Sequence, residues 1–540
     1  MQKIIIVGGV AGGASAAARL RRLDEKAEII LFERDEHISF ANCGLPYYIG
    51  GEITNPHELT IQTPESFHSQ FNIDVRVFSE VISIDKKAKT VAVKNHKTGE
   101  TYTESYDKLL LSPGATPIKP NIEGLDSDKV FTLRNIPDTF KIKNYVEANR
   151  PKSAAIVGGG FIGVEMAENL HAIGLEVTLI EMQDQIIAPL DFDMACDVHK
   201  YMKRKGITLA LKNGVQSVND SGDTLTVKLT DGEVQADMLI MAIGVSPESG
   251  LARSAELDIG ERGHIIVNNH MQTSDIDIFA VGDAVGPIPL AGPASKQGRV
   301  AADVIYGLDS QYIGTQGSSI LKVFDMTIAS TGINEKTAKR LGLDYDKSFT
   351  YSASHATYYP GATYMSIKTI FEKNTGRILG AQIVGFDGVD KRCDVFATAI
   401  YSKLTAFDLA KLELCYAPPY SSAKDPVNMA GFVIENILTG KAQHFHWHDV
   451  NDLPRDGSVT LLDTRSSTEF LSGTIDGFKN IPLHKLRDRL NELEKAKPVY
   501  IICQTGLRGY IAARILMQNG FAVYNLSGGY RLYKSVFSEV

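Results

Sequence analysis

Two stretches of this chain repeat one pattern. KIIIVGGVAGGASAAARLRRL runs from an apolar strand through a glycine turn into a helix, and EIILFERDE then gives a second strand ending in an acid. Far downstream, SAAIVGGGFIGVEMAENLHAIG and EVTLIEMQ do the same. Such a unit puts backbone N–H groups and a helix N-terminus where a phosphate can sit. The second copy is a full G-x-G-x-x-G at Gly158, Gly160 and Gly163, with Glu181 closing the next strand. Its first glycine permits the tight turn, the second lets a pyrophosphate approach the backbone, and the third packs helix on strand. The first copy has Val10 where the second glycine is expected, but keeps Gly8, Gly12 and Gly13, with Glu33 about twenty residues on. Two such units predict two dinucleotide-binding domains in an α/β chain; the alternative is glycine turns that bind nothing. An acid at the strand end accepts from ribose hydroxyls and repels a 2′-phosphate, so Glu181 favours NADH without excluding NADPH.

A chain of 540 residues has room for three or four domains. With 44% hydrophobic and 22% charged residues, it reads as ordinary globular protein. A net charge of -8 argues against nucleic acid as the main ligand. No apolar run approaches the roughly 20 residues of a membrane span, and the N-terminal apolar run is ended by glycines, so no membrane and a cytoplasmic location are expected. The 5 cysteines are scattered, without a CxxC, so each thiol is judged alone.

Between the units, KLLLSPGATPIKP is a strand entering a Pro-Gly turn; DMLIMAIGVSPES and TSDIDIFAVGDAVG follow the second unit. In this order the segments resemble the two-dinucleotide flavoprotein disulfide reductases. The resemblance implies FAD in the first unit and NAD(P)H in the second. It implies cofactor contacts from Glu33, Arg34, Asn42, Ser112, Gly114, Gly244 and Gly282, with Asp283 on the ribityl and phosphate side. Asp283 read by itself could equally be a turn residue. Residues 320–440 alternate short strands and helices, an α+β domain; the resemblance implies a dimer interface there.

SFANCGLPY holds Cys43. Well-known reductases of this kind use two close cysteines, whereas here Tyr48 stands where a partner could be. Cys43 cannot form the usual internal dithiol. It lies where a helix could begin, and a helix N-terminus favours a thiolate. It is therefore either a nucleophile that takes one outside sulfur or a buried structural thiol. Its motif is similar to the single-cysteine branch of coenzyme A disulfide reductases, NADH oxidases and NADH peroxidases. The oxidases and peroxidases carry a histidine in the glycine turn, where this chain has Ala11. That favours the coenzyme A disulfide reductase branch. This resemblance implies Arg19 and Arg22 on the first helix as contacts to coenzyme A phosphates, and Ser39 and Asn42 as contacts beside the cysteine. The same arginines could form a solvated amphipathic face.

HATYYPGA and CYAPPYSSAKDPVNMAG also match that branch, which brings two tyrosines to the active site from the partner subunit. Tyr358 or Tyr359 with Tyr416 are the candidates, Tyr420 an alternative, and Lys424 a weaker positive contact. Such hydroxyls could donate to a leaving thiolate, or the tyrosines could simply be buried at an interface.

HFHWHDV could suggest a metal, but the sequence supplies no further ligands, and it reads as a linker. After it, four short strands alternate with helices. Cys503 opens the loop C-Q-T-G-L-R, in which backbone N–H groups, Gly506 and the charge of Arg508 would hold a thiolate or persulfide anion. This loop, DTRSSTEF and LSGGY resemble a rhodanese, with Asp463 and Arg465 holding the fold together. Cys196, Cys393 and Cys415 read as structural.

The expected architecture is α/β. It has an FAD-binding domain (1–115 and 246–318), an NAD(P)H-binding domain (116–245), both Rossmann-like, an α+β dimerisation domain (319–442) and a C-terminal α/β rhodanese domain (450–540). The expected function is NADH-driven reduction of coenzyme A persulfide, polysulfide or disulfide at Cys43, with sulfane sulfur carried at Cys503. The expected partners are small-molecule thiols and persulfides, with coenzyme A as substrate or bound ligand, in a homodimer. The alternatives are an NADH oxidase cycling through a sulfenic acid, or a redox-sensing sulfur-relay protein.

Overall fold

The computed structural model describes residues 2–286 and 288–539. It divides into two compact units, Met1–Gln183 with Ile207–Thr315, and Asp184–Gly206 with Gln316–Val540. Among the described residues no helix is long and apolar enough to cross a membrane.

In the first unit the two glycine-turn segments supply the central strands of two similar sheets. Lys3–Val7 lies between Lys108–Leu111 and Glu28–Phe32, with Ile278–Ala280 and Asp74–Arg76 outside them, all parallel. Ser153–Val157 is likewise central, between Glu176–Ile180 and Met238–Met241, with Thr208–Ala210 and Val130–Thr132 at the edges. Parallel sheets are covered on both faces, which explains the unbroken apolar runs; Ile4, Ile5, Ile6, Ala155 and Ile156 are fully buried. A three-stranded antiparallel sheet occurs in each half, Ser79–Asp85 to Thr101–Ser105 and Val215–Asp220 to Glu233–Ala236. Ala115–Pro117 pairs antiparallel with Val245–Pro247. The helix Ala11–Leu23 packs so closely on Ala291–Ile305 that a Cβ on Gly298 would lie 2.3 Å from the carbonyl oxygen of Gly12.

The second unit holds a five-stranded antiparallel sheet, in spatial order Ser319–Val323, Met326–Gly332, Ile378–Gly385, Tyr364–Glu372 and Tyr345–Ala353. The segment Asp184–Gly206 belongs to this unit, although it lies inside the stretch expected for the nicotinamide domain. Its helix Phe192–Arg204 buries an apolar face that includes Met194, Ala195, Cys196, Val198 and Met202, and its acids meet a buried cation. The fully buried ammonium of Lys368 donates to Asp193 (2.8 and 2.9 Å) and Glu335 (2.5 Å), and lies 3.0 Å from Asp191. A buried cation requires such partners, and these carboxylates surround it.

The C-terminal sheet has five parallel strands, not four: His444–Phe445, Val523–Leu526, Val499–Ile502, Thr460–Asp463 and Lys479–Asn480. The added strand comes from HFHWHDV, so that segment is not a linker. Phe445 is buried, edge-on to Tyr500, and its backbone pairs with Leu526.

Candidate active site

In each nucleotide unit the glycine turn is tied to its acid in the same way. Gly9 N–H donates to Glu33 Oε2 (2.9 Å) and Asp35 N–H to Oε1 (3.2 Å). Gly159 N–H donates to Glu181 Oε2 (2.7 Å) and Gln183 N–H to Oε1 (2.8 Å). Both carboxylates are therefore fixed at the turn with lone pairs left for a ribose. Burial pushes the pKa of Glu33 up, offset in part by the Gly9 and Asp35 amides.

The glycines divide by role. A Cβ on Gly13 or Gly163 would meet the carbonyl oxygen of Gly8 or Gly158 at 1.9 Å, so these two close the helix on its strand. Gly8 and Gly158 have φ of +97° and +109°, and a Cβ on either would strike a neighbouring backbone oxygen. Gly160 differs: a Cβ there meets nothing within 4 Å. That open space at the helix N-terminus is where a pyrophosphate would approach. Asn42 Oδ1 is buried without a partner, an acceptor suited to a bound donor. These features fit two dinucleotides. Gly160→Ala is accordingly expected to leave the melting temperature within about 1 °C while raising the KM for NADH about tenfold or more. Gly163→Ala is expected to lower the melting temperature by several degrees. Equal melting losses in the two variants would refute this division.

Other expected contacts are placed as follows. Ser112 lies against the first turn; a Cβ on Gly12 would come 2.9 Å from its Oγ. Gly114, Gly244 and Gly282 all have positive φ, at +79°, +112° and +77°. Asp283 accepts from Arg134 (2.8 Å) and Arg34 forms a two-point pair with Glu248 (2.5 and 3.0 Å). Arg19 donates to Asp303 (2.7 Å), while Arg22 and Lys424 are exposed. The pairs of Arg19 and Arg34 reduce the positive charge either presents to a ligand.

Cys43 sits in a short turn, Asn42–Gly44, followed by the helix Leu45–Ile49. It is a free thiol and exposed. Ser39 just before it has φ of +43°, held by its N–H donating to the Gly9 carbonyl (2.9 Å). Left-handed backbone at a non-glycine residue is strained and recurs at functional sites. Although the residue as a whole is exposed, desolvation of its sulfur by the atoms around it, then the charge of Glu165, push the pKa of Cys43 up. That direction runs against the thiolate expected at a helix start: desolvation leads, Glu165 adds to it, and the helix has only 5 residues.

Glu165 and Glu168 escape the sequence reading. Glu165 is pushed up to about 7, by burial first and then by Glu168, and accepts a hydrogen bond from Tyr47. The available signal is two acids three positions apart on FIGVEMAENLHA, a helix otherwise largely buried.

In the second unit the loops that carry Tyr358 and Tyr416 are brought together. The two hydroxyls share a hydrogen bond of 2.8 Å. Buried Arg392 fixes both loops, donating to the Ser354 carbonyl (2.8 Å), Ser421 Oγ (3.1 Å) and Asp425 Oδ2 (3.0 Å). Tyr358, Tyr359, Tyr416 and Tyr420 are all exposed on this chain. A cavity of about 360 Å³ lies beside them, lined by Lys391, Arg392, Cys415, Tyr416 and Tyr420 among others. The hydrogen bond to Tyr416 is the first cause that pushes the pKa of Tyr358 up, so its hydroxyl keeps its proton.

Cys503 is fully buried at the end of Val499–Ile502, and its Sγ accepts from Gly506 N–H (3.1 Å) before the helix Leu507–Gln518 begins. Gly506 turns the loop at φ of +104°. Arg508 is not a free charge. Its guanidinium pairs with Glu469 (2.7 and 2.6 Å), which offsets part of its charge, while that charge still acts on Cys503; the amide contact to the sulfur is from Gly506. Arg508 holds Glu469 down at about 2. Asp463 and Arg465 are buried and joined at 2.7 Å, and Thr474 donates to the same carboxylate (2.8 Å). Cys196 and Cys393 are buried, and burial pushes Cys393 up to about 12; Cys415 is exposed at the tyrosine cavity.

The comparisons with known proteins agree with this geometry. Residues 2–298 match the pyridine nucleotide-disulphide oxidoreductase family, 318–426 its dimerisation domain, and 446–535 a rhodanese-like domain. A coenzyme A disulfide reductase of Staphylococcus epidermidis is 38% identical over 444 residues, 80% of this chain and 99% of that protein. The structure of reduced Bacillus anthracis CoADR-RHD matches with a TM-score of 0.97 and 53% identity, covering 100% of this chain and 98% of that one. A NAD-dependent persulfide reductase from A. fulgidus matches with a TM-score of 0.91 and 38% identity, covering 98% and 100%. The water-forming NADH oxidase of Lactobacillus brevis is more distant, at 0.78 and 29% over 82% of this chain and 100% of that one. With its paired nucleotide sheets, its exposed Cys43 that has no second cysteine near it in sequence, and its buried Cys503 bonded at sulfur by a backbone amide, the chain belongs to the pyridine nucleotide-disulphide oxidoreductase family, an FAD- and NAD(P)H-dependent oxidoreductase acting on sulfur and extended by a rhodanese-like domain.

Proposed function

We propose that this chain uses NADH to reduce coenzyme A persulfide or polysulfide, and coenzyme A disulfide, at Cys43, with Cys503 carrying sulfane sulfur. One observation carries the reading: a single chain holds two thiols in different settings. Cys43 is exposed and free, whereas Cys503 is enclosed and hydrogen-bonded at sulfur. An exposed lone thiol can accept one sulfur from outside, and an enclosed one can hold a persulfide.

FAD and NADH, when bound, supply two electrons to a sulfur–sulfur bond. The chain supplies the sulfur chemistry. The Cys43 thiolate attacks the outer sulfur of coenzyme A persulfide. A Cys43 persulfide forms and the coenzyme A thiolate leaves. Two electrons then cleave the new bond to hydrosulfide and Cys43 thiolate. With coenzyme A disulfide the same attack gives a mixed disulfide and one thiolate. Because its pKa is pushed up, Cys43 needs a proton acceptor, and our candidate is Glu165, whose charge reaches Cys43 and which itself bonds Tyr47. Glu33 and Glu181 orient the two nucleotides, and Glu181 favours NADH over NADPH.

Tyr358 and Tyr416 would donate to the leaving thiolate, reaching Cys43 of the partner subunit in a homodimer. Tyr358→Phe or Tyr416→Phe is expected to lower kcat/KM for coenzyme A persulfide about 10- to 100-fold, with the double variant little worse, since the pair acts as one unit. Losses that multiply in the double variant would contradict a shared role. The net charge of -8 suits small-molecule work in the cytoplasm and not nucleic acid binding.

The test is anaerobic NADH oxidation with coenzyme A persulfide, coenzyme A disulfide and, separately, oxygen, while following sulfide. Rapid NADH loss with stoichiometric sulfide from the persulfide is expected. NADH loss with oxygen alone would refute the reading.

A further inference from the structure

We infer that Asp346, His444 and His446 form a binding site for a divalent first-row transition metal of the zinc type. His444 and His446 flank Phe445 in a short extended segment, so the two histidines share one face and buried Phe445 takes the other, while His448 already lies in the 3-10 helix Trp447–Asp452. In sequence that face lacks a carboxylate. The fold supplies one: Asp346, near the start of the strand Tyr345–Ala353, places one oxygen 3.2 Å from His444 Nε2 and the other 3.1 Å from His446 Nε2. The ligand atoms of the three residues all lie within 4.8 Å of one another.

These distances suit an ion. Two ligands about 2.1 Å from one metal, at tetrahedral or octahedral angles, stand roughly 3.0–3.4 Å apart. Two imidazoles and one carboxylate are the donor set of borderline metals, and they leave a coordination position for water. The site can be reached, since the side chains of Asp346, His444 and His446 are 22%, 11% and 12% exposed. His448 is not a ligand. Its Nδ1 lies 2.8 Å from Asp449 and its Nε2 3.3 Å from the Lys347 ammonium. That ammonium donates to Glu335 (2.6 Å), which offsets its charge near the site. A bound ion would join the first strand of the C-terminal sheet to the edge of the antiparallel sheet, a staple between two folded parts of the same unit.

The test uses the full-length holoenzyme, stripped with EDTA, desalted and titrated with Co2+ and with Zn2+. About one Co2+ per chain is expected, with visible absorption of nitrogen and oxygen ligation and no sulfur charge-transfer band, displaced by Zn2+. Affinity is expected to fall at least about tenfold in His444→Gln, His446→Gln and Asp346→Asn, and to be unchanged in His448→Gln. Flavin absorbance and circular dichroism verify folding, and Asp346→Asn, which keeps shape, decides the matter if a histidine variant fails to fold. The inference is overturned if the wild type retains no ion after desalting. It is also overturned if the His444/His446 double variant binds as tightly, or if His448→Gln abolishes binding.

Discussion

Cys43→Ser is expected to lower NADH-driven sulfide release from coenzyme A persulfide by at least about a thousandfold, and coenzyme A disulfide reduction with it. A serine hydroxyl is far less acidic than a thiol and forms no stable bond to sulfane sulfur, so the first step has no acceptor. The change is otherwise small. Cys43 is exposed in a turn, and burial of the neighbouring Leu45, Tyr48 and Ile49 does not depend on it. Folding, flavin content and the stoichiometric bleaching of flavin by NADH are therefore expected to survive, since the glycine turns at Gly8 and Gly158 are untouched. Anaerobic stopped-flow separates the two halves: NADH-dependent bleaching at near wild-type rate, then no reoxidation by coenzyme A persulfide. Sulfide release within tenfold of wild type in Cys43→Ser would sink the mechanism, because Cys415, the other exposed thiol, would then be the acceptor. Glu165 adds a pH signature. Its pKa near 7 means that a carboxylate able to take the thiol proton is present above that pH and lost below it. The wild-type rate of the persulfide half-reaction is expected to fall as pH drops through 7, and Glu165→Gln to remove that step.

What the sequence discloses about this protein follows the range of the interactions involved. The two nucleotide units are legible because strand, turn and helix are local, and each glycine is required by atoms nearby, as Gly13 and Gly163 are by the preceding turn. The two thiols are legible from their immediate neighbours: SFANCGLPY lacks a second cysteine, and CQTGLR holds a glycine where the loop must turn at positive φ. What escapes is set by distant partners. Asp184–Gly206 groups with the second unit, where its apolar helix face is buried and Asp191 and Asp193 meet Lys368, contacts no periodicity announces. His444–Phe445 is 2 residues long, below any pattern's reach, and is a strand because Val523–Leu526 lies beside it. Arg508 carries full charge in sequence and meets Glu469 in the fold. Glu165 looks like an ordinary helix acid until burial is known.

Cys503→Ala is the second large effect. Sulfurtransfer from thiosulfate to cyanide is expected to fall below about 1% of wild type, because Cys503 is the thiol enclosed by the loop and no hydroxyl or other sulfur replaces it there. NADH-driven reduction of coenzyme A disulfide is expected to be unchanged, since that chemistry belongs to Cys43. The comparison of substrates makes the result informative. If the rhodanese-like domain feeds sulfur into the reductase, Cys503→Ala loses NADH oxidation with thiosulfate plus catalytic coenzyme A but keeps it with preformed coenzyme A persulfide. Loss with the preformed persulfide as well would mean that Cys503 is part of the reduction step itself, and the separation of roles would be wrong. The neighbours of Cys503 rank the contributions within the loop. Gly506 gives the sulfur its hydrogen bond at φ of +104°, a conformation unfavourable to any side chain, so Gly506→Ala is expected to cost about 100-fold in sulfurtransfer. Arg508→Met is expected to cost less, about tenfold, because its charge is already partly offset by Glu469 and the backbone amides remain. A larger loss in Arg508→Met than in Gly506→Ala would show that the guanidinium, not the backbone, stabilises the sulfur anion.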